Sequence, residues 1–444
     1  MLISELRSRE FSRLDEGDHA YLDYTGAALH PESLVDEHAA MLRGAVLGNP
    51  HSESQASRAS SALLCEARER VRRFFHADEY EVVFTANASG AARLVAESFP
   101  FAPGLRFVLT ADNHNSVNGI REYARRAGAR VEYLPMDADL RIADMMLPDG
   151  PGLFAFPAQS NFSGVKHPLE IVARAHDRGY QVLLDAAAFV PTSTLDLRAV
   201  RPEFVALSFY KMFGYPTGIG ALLARRDALA TLGRPWFAGG TVEHVTLDPP
   251  RHQLRQGPEA FEDGTVNFQA IGAIPAGLSW LEKHGVERIG AHALSLAQRL
   301  SEELGALRYR DGRAMVTLYG PCEWSSRGAV VAFNVRAHDG SLIAHEVVET
   351  AARDARVSVR GGCFCNPGAA ESLGLGFGAP VPGAVRASLG AANNERDIDR
   401  LVSVIAMLAG TAGRRLRRPA AALSTAPAPR VAAVAMDRTA RMLR

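Results

Sequence analysis

One lysine stands in the apolar, glycine-rich stretch LSFYKMFGYPTGIGALL, residues 207–223. The chain has only three lysines, Lys166, Lys211 and Lys283, and arginine supplies nearly all of its other positive charge. Because arginine stays protonated and is a poor nucleophile, a lysine in such a stretch indicates that a reactive amine is required. Lys283 lies in the charged stretch WLEKHG, which is typical of a surface. Lys166, in SGVKHP, remains an alternative to Lys211.

An amine that condenses with an aldehyde needs a desolvated or otherwise tuned site. The best-known aldehyde of this kind, pyridoxal 5′-phosphate, also needs a carboxylate beside its pyridine nitrogen. Asp185 ends the apolar run QVLLD, where an unpaired carboxylate would be costly. Lys211 follows the next strand-like run, so both groups are expected at one rim of a sheet. A helix N-cap for Asp185 and a solvent-facing loop for Lys211 are the competing interpretations.

The segments that must position these residues alternate between two patterns. Strand-like runs such as EVVFTA, RFVLTA and EFVALSF are separated by stretches with helical spacing. This alternation predicts an α/β fold with a mostly parallel sheet and helices on both faces. The expected organisation is an N-terminal arm (1–50), a large cofactor-binding domain (51–268), a smaller α+β domain (269–410) and a basic Ala/Pro/Arg tail (411–444). The tail composition predicts disorder, with a basic arm for an acidic partner as the alternative.

Composition excludes several classes of function. The formal net charge is +0, so no global field favours nucleic acid or an anionic membrane. No uninterrupted apolar run reaches membrane-spanning length, and the first residues are too charged for a signal peptide, so a cytoplasmic location is expected. The four cysteines, Cys65, Cys322, Cys363 and Cys365, are too few for a disulfide framework in 444 residues.

The stretch RGGCFCNPGA raises a second chemical question. Cysteines at i and i+2 point in opposite directions on an extended chain, so Cys363 and Cys365 hardly chelate one metal, and no metal site is expected. Two buried, unreactive thiols are the simplest interpretation. The surrounding glycines and proline instead predict a loop, where reactive residues are often presented.

Long stretches between residues 21 and 392 resemble a known family. The most specific are LLDAAAFVPTS, LSFYKMFGYPTGIGALL, FAGGTV, FEDGTVNF and VRGGCFCNPGA. With these stretches the chain resembles class V, fold-type I pyridoxal-phosphate enzymes of the cysteine desulfurase group. Within that group it is most similar to the desulfurase-like domain of molybdenum cofactor sulfurases. Members often continue into a further C-terminal domain, for which the present tail is short and polar.

The resemblance implies a seven-stranded-type sheet, a homodimer with shared sites, and sulfur transfer from L-cysteine to an acceptor protein or cofactor. It also assigns roles. Lys211 would form the Schiff base with pyridoxal phosphate, and Cys365 would carry the persulfide, with Cys363 as the alternate. His114 would stack on the ring and move protons, with Asn113 competing in register. The remaining assignments are Asp185 for the pyridine nitrogen, Asn161 for the phenolic oxygen, Ser208, Ser89, Ala88 and a partner-donated Thr265 for the phosphate, and Arg386, Arg360 and His51 for the substrate.

Two positions depart from the family pattern. Ala188 stands where a polar residue is usual, and Tyr210 precedes the lysine where many desulfurases have histidine. Both substitutions indicate an altered cofactor environment. They favour the alternative hypothesis that the chain is another pyridoxal-phosphate enzyme, such as a selenocysteine lyase, a C–S lyase or an epimerase.

Overall fold

The computed structural model of this protein describes residues 5–142 and 147–412. Fifteen strands are found in those ranges: β1 Ala20–Tyr21, β2 Tyr80–Thr85, β3 Arg106–Thr110, β4 Arg130–Leu134, β5 Gly152–Pro157, β6 Tyr180–Asp185, β7 Phe204–Ser208, β8 Gly220–Arg225, β9 Val242–Leu247, β10 Pro250–Leu254, β11 Val316–Tyr319, β12 Val330–Val335, β13 Val357–Ser358, β14 Arg360–Gly362 and β15 Ala384–Ser388.

The α-helices of the same ranges are α1 Leu6–Glu10, α2 Arg13–Glu16, α3 Glu32–Gly44, α4 Gln55–Phe74, α5 Ala88–Ser98, α6 Asn115–Asn118, α7 Ile120–Arg126, α8 Ile171–His176, α9 Leu197–Val200, α10 Phe209–Phe213, α11 Arg226–Leu229, α12 Phe268–Ile271, α13 Ile274–His284, α14 Val286–Ala306, α15 His345–Asp354, α16 Pro367–Ser372 and α17 Glu395–Ala412. A 3-10 helix spans Gly257–Phe261.

The main sheet has seven strands in the order β2-β8-β7-β6-β5-β3-β4. Strand β8 runs antiparallel to both of its neighbours, and the other pairs are parallel. Every residue of β5 and β7 is buried, as strands covered on both faces require. The predicted fold class, a mostly parallel seven-stranded sheet with helices on both faces, is confirmed. Strands β2 and β7 point in the same direction, since both are antiparallel to β8. The carboxyl ends of six strands therefore lie at one edge of the sheet.

A second, antiparallel sheet of four strands has the order β11-β12-β15-β14. Helices α14, α15 and α17 pack on it around a core of its own. The N-terminal segment joins this region, since β1 pairs in parallel with β13. The domain limits given above remain predictions, and residues 413–444 of the expected tail lie outside the described residues. No helix within the described ranges is both long and apolar enough to cross a bilayer.

A buried ion pair ties the first helix to the last. The Arg7 guanidinium donates to Asp397 Oδ2 at 2.9 Å and to the Ala392 carbonyl at 2.8 Å. The two side chains are almost entirely inaccessible to water, with 10% and 2% of their surface exposed. Two charges removed from water are tolerated only when each satisfies the other, so this contact fixes the N-terminal arm on the small sheet region.

Replacing Arg7 by Met should leave the Asp397 carboxylate buried without its cation. We expect a loss of about 3 kcal/mol in the free energy of unfolding, the lower end for a broken buried pair, because Asn393 still donates to the same carboxylate. Urea titration measures the change. Arg43→Met, at an exposed position of α3, is the matched control and should change stability by less than about 0.5 kcal/mol. Equal stability of the two variants would contradict the assignment.

Candidate active site

A cavity of about 110 Å³ opens at the carboxyl edge of the seven-stranded sheet. It is lined by residues that directly follow β2, β3, β5, β6 and β7, as expected for a ligand site of an open α/β sheet. Seven of the side chains or amides predicted from the sequence line this one cavity: Ala88, Ser89, His114, Asn161, Asp185, Ser208 and Lys211.

Lys211 lies in the first turn of chain after β7, within the short helix α10. That helix ends at Phe213 and is capped by Gly214, whose φ of +79° is left-handed. A Cβ at Gly214 would lie 2.2 Å from the His30 amide nitrogen. Burial lowers the pKa of the Lys211 amine from its usual 10.5, while the Asp185 carboxylate opposes that shift. A larger fraction of the amine is therefore neutral near pH 8 than in a free lysine, which is the state that attacks an aldehyde.

Asp185 ends β6, next to β7 in the sheet, so its carboxylate enters the same cavity. One oxygen, Oδ1, accepts the Ala187 N–H at 3.0 Å. No hydrogen-bond partner for Oδ2 is found among the described residues. An ionisable carboxylate with one oxygen open to a cavity that also holds a lysine fits a protonated pyridine nitrogen.

The part of the cavity wall at the N-terminus of α5 suits a phosphate group. The N-terminus of α5 faces the cavity with Ala88 and Ser89, and the amides of a first helical turn lack intrahelical acceptors. The Ala88 N–H donates a hydrogen bond to Ser208 Oγ at 2.8 Å, and the Ser89 and Ser116 hydroxyls are hydrogen-bonded to each other at 2.5 Å. Amide and hydroxyl donors thus converge at a helix N-terminus, the surroundings that an anion prefers.

His114 lines the cavity, whereas its competitor Asn113 does not. The Asn113 amide is fully buried and donates to Thr110 and to the Ala155 carbonyl. His114 Nδ1 accepts the Ser116 N–H at 3.1 Å, so the neutral ring carries its proton on Nε2. Burial lowers the pKa of His114, Asp185 raises it and Lys211 lowers it further. The ring is therefore neutral at pH 7 and can accept a proton.

The two predicted arginines lie opposite one another on β14 and β15 and share one carboxylate. Asp23, from the N-terminal arm, accepts from Arg360 at 2.6 Å and from Arg386 at 2.9 Å. Arg386 also donates to the Asn161 carbonyl at 2.8 Å, which brings it against the cavity wall. Its Nε is buried and has no partner among the described residues. The sequence did not assign Asp23, since only the fold brings this carboxylate to the arginines.

The cysteine loop lies directly beside the cavity without lining it. The Cys365 carbonyl accepts the Asn115 N–H at 2.7 Å, and the Phe364 carbonyl accepts from Asn161 Nδ2 at 2.7 Å. The Phe364 ring packs under the Arg386 guanidinium, 4.9 Å from ring centroid to carbon. Both thiols, Cys363 and Cys365, are exposed. The loop therefore contacts two segments that form the cavity wall and leaves its thiols accessible.

Thr265 and His51 lie together outside the cavity. Asn49 connects them, since its Nδ2 donates to Thr265 Oγ1 at 3.1 Å and its Oδ1 accepts the His51 N–H at 3.1 Å. The alternative lysine, Lys166, is also absent from the cavity wall, and its ammonium lies 5.8 Å from the centre of the Phe189 ring. Among the described residues, no group of three or more His, Cys, Asp or Glu side chains is arranged to hold a metal.

Sequence reasoning missed Gln159, which lines the cavity two residues before Asn161. Its Nε2 donates to the Ala188 carbonyl at 2.9 Å, and its Oε1 is buried without a partner in the described part of the chain. The altered positions Ala188 and Tyr210 both lie in the cavity wall. Gln159 thus supplies an amide next to the place where the family's usual polar side chain is absent.

Comparisons with known proteins agree with this geometry. The family described as aminotransferase class-V matches residues 20–401. This chain belongs to that family. Its curated relatives include the molybdenum cofactor sulfurases of Solanum lycopersicum (36% identity, covering 84% of this chain and 50% of that one) and of Anopheles gambiae (38% identity, 89% and 57%). The chain spans about half the length of the curated relatives it matches.

Among solved structures, the apo cysteine desulfurase of Thermococcus onnurineus NA1 superposes with a TM-score of 0.82 at 28% identity, covering 92% of this chain and 98% of that one. The predicted resemblance is therefore confirmed, as is the prediction of an enzyme that uses pyridoxal 5′-phosphate. The donor set fits that cofactor, with an amine, an open carboxylate oxygen and a helix N-terminus around one cavity. The role assigned to each residue remains a prediction.

The pH dependence of cofactor capture tests the environment of Lys211. Cofactor-free protein mixed with pyridoxal phosphate and trapped with borohydride at successive pH values should give a midpoint below pH 10.5, because burial lowers the pKa of the amine. Asp185→Asn removes a carboxylate that raises this pKa, so its midpoint should move to still lower pH. Lys283→Arg, on α13, is the control and should leave the midpoint unchanged. A midpoint at or above 10.5, or a reduced adduct on Lys166, would contradict the assignment.

Proposed function

We propose that this enzyme transfers the sulfur of L-cysteine to Cys365, releases L-alanine, and passes the sulfur from the resulting persulfide to an acceptor. The observation that carries the proposal is the anchoring of an exposed cysteine loop on the wall of a cavity that contains Lys211 and Asp185. The resemblance to a cysteine desulfurase over 92% of the chain supports it. The names of the curated relatives make the molybdenum cofactor one candidate acceptor.

The proposed sulfur step balances without an outside oxidant. The Cys365 thiolate attacks the substrate sulfur, and an S–S bond forms as the C–S bond breaks. The electron pair of the C–S bond stays with carbon, which gains a proton to become the methyl group of alanine. When bound, pyridoxal phosphate withdraws electrons from the bonds at the substrate's Cα. A thiol and L-cysteine thus give alanine and a persulfide.

The side chains around the cavity supply binding and proton transfer. Arg386 Nε is a buried donor without a partner among the described residues, next to the Asn161 carbonyl, and suits one oxygen of the substrate carboxylate. Arg386 would bind the substrate carboxylate. Arg360, which is paired more fully with Asp23, would keep the Asp23 carboxylate in place. The amine of Lys211 and the neutral ring of His114 would move protons to and from the substrate carbon.

A homodimer with shared sites is part of the proposal. Thr265 and His51 are exposed and do not line the cavity that contains Lys211. The exposed hairpin of β9 and β10 follows the same surface, with Leu247 91% exposed. A second copy that covers this surface would bring Thr265 to the phosphate end of the neighbouring cavity.

A second candidate function rests on the altered positions. An apolar cavity adjoins the first one, and Lys211, Gln159, Ala187 and the small Ala188 line both. That arrangement favours a substrate larger than cysteine, as in another C–S lyase or an epimerase. Substrate profiling with cysteine, selenocysteine, cysteine sulfinate and larger amino acids separates the two functions. Absence of alanine and sulfide from cysteine would exclude the first.

Replacing Cys365 by Ser should abolish alanine formation from L-cysteine, by at least about 100-fold, because the nucleophile is removed. The absorbance band of the bound cofactor should remain, since Cys365 does not line the cavity. Cys363→Ser, two residues away and also exposed, is the matched control and should keep most of the activity. Alanine formation at the wild-type rate by the Cys365 variant would remove the basis of the proposal.

Subunit complementation tests the shared site. Lys211→Ala and Thr265→Ala should each be poorly active alone. Mixed dimers contain one cavity with Lys211 from one subunit and Thr265 from the other, so refolding the two variants together should restore part of the activity. A mixture no more active than the sum of the separate variants would show that Thr265 does not act across a dimer. Sedimentation velocity on each sample establishes the mass of the species measured.

A further inference from the structure

A buried carboxylate outside the cavity collects three donors. Asp112, which follows β3, is completely inaccessible to water. Its Oδ1 accepts from Ser160 Oγ at 2.9 Å and from Asn366 Nδ2 at 2.5 Å, and its Oδ2 lies 3.2 Å from His167 Nε2. None of these four residues lines the cavity or has a role in the chemistry above. A buried carboxylate would be costly without such donors, so the cluster is a built feature of the fold.

Asn366 connects this cluster to the cysteine loop. It directly follows Cys365, and besides Asp112 its amide group donates to Asn161 Oδ1 at 3.0 Å. Its own Oδ1 accepts the Ala369 N–H at 3.2 Å and so caps α16. One side chain therefore joins the loop, the buried carboxylate, the cavity wall and the helix that follows.

The backbone of the loop is strained and held from both sides. Phe364 and Cys365 have left-handed φ values of 54° and 57°, which cost about 1–3 kcal/mol each for residues of this kind. Such a conformation persists only when the surroundings impose it. The carbonyls of both residues accept hydrogen bonds from segments of the cavity wall. Gly368 packs so closely that a Cβ there would lie 2.1 Å from the Ala111 carbonyl oxygen.

We propose that Asn366, anchored on the buried carboxylate of Asp112, is the positioning residue that holds Cys365 against the cofactor cavity for the sulfur step. The proposal rests on the proposed function of Cys365. Attack on a substrate sulfur needs the two sulfur atoms in line and nearly in contact, and a displacement of about 1 Å can cost about 100-fold in rate. Asn366 does not line the cavity, and acts by fixing the backbone from which the thiol projects.

Asn366→Ser is the first test. Serine still caps a helix and carries no charge, but it cannot make the two amide donations. We expect kcat for alanine formation to fall at least about 30-fold, with the KM for cysteine and the cofactor absorbance band within about twofold of wild type. Ser372→Ala, at the exposed end of the same helix, is the control and should leave kcat unchanged. A kcat for N366S within about twofold of the wild-type value would overturn the inference.

A second test exchanges the residue types at positions 112 and 366. Asn366→Asp keeps the cap but sets a second carboxylate against Asp112, so kcat should fall further than in N366S. Adding Asp112→Asn replaces that repulsion with an amide donor, and kcat should recover at least about tenfold over N366D. Failure of the double variant to recover, with its cofactor band intact, would exclude the Asp112 contact as the anchor.

Alkylation reports on the position of the Cys365 thiol without requiring catalytic turnover. Iodoacetamide labelling followed by peptide mapping should show a changed rate at Cys365, by at least about threefold, in N366S, because the strained backbone relaxes. Cys65, exposed on α4, is the internal reference and should label at an unchanged rate. An unchanged Cys365 rate would count against positioning. Full activity of Cys365→Ser, by contrast, would defeat the proposed function and leave the labelling result to decide whether Asn366 anchors the loop.

Discussion

The lowered pKa of the Lys211 amine is the constraint on which the site depends. Burial at the carboxyl edge of the sheet disfavours the charged form, and the Asp185 carboxylate pulls in the opposite direction. These two opposing effects on the pKa act together because β6 and β7 are neighbouring parallel strands. Asp185 ends β6 and Lys211 follows β7, and both reach the same cavity. If Lys211 and Asp185 formed a tighter ion pair, the amine would stay protonated. If the two groups were completely separated, the Asp185 carboxylate would have no function in the site. The open oxygen of Asp185 is what keeps both groups available to a ligand.

The small sheet and the N-terminal arm contribute the charged residues that lie beside the cavity of the large sheet. Asp23 holds Arg360 and Arg386 in register across β14 and β15, and Arg386 in turn reaches the Asn161 carbonyl at the cavity wall. The guanidinium of Arg386 also covers the Phe364 ring of the cysteine loop. One carboxylate from the arm thus sets the position of a candidate substrate-binding arginine and, through it, the packing of the loop that carries the thiols.

Local patterns in the sequence predicted the sheet and most of the cavity. Alternating strand and helix signals place Asp185 and Lys211 after adjacent strands, and the family stretches add Asn161, Ser208 and His114. Three features had no local signal. Strand β8 runs antiparallel to β2 and β7 although its composition matches that of the parallel strands. Asp23 meets its arginines more than 300 residues further along the chain. Asp112 is one acidic residue among many until the fold buries it. Such contacts depend on tertiary packing, which periodicity and composition do not encode.

The buried pair of Arg7 and Asp397 has a consequence for biosynthesis. Arg7, β1 and Asp23 of the arm pair with α17, β13 and β15, which follow them by more than 300 residues in the chain. The seven-stranded sheet, complete by residue 225, can assemble during translation, since domains generally fold as units from the N-terminus. The contacts of Asp23 form later, because they need Arg360 and Arg386. A nascent chain therefore holds the lysine pocket before it holds the arginines beside it.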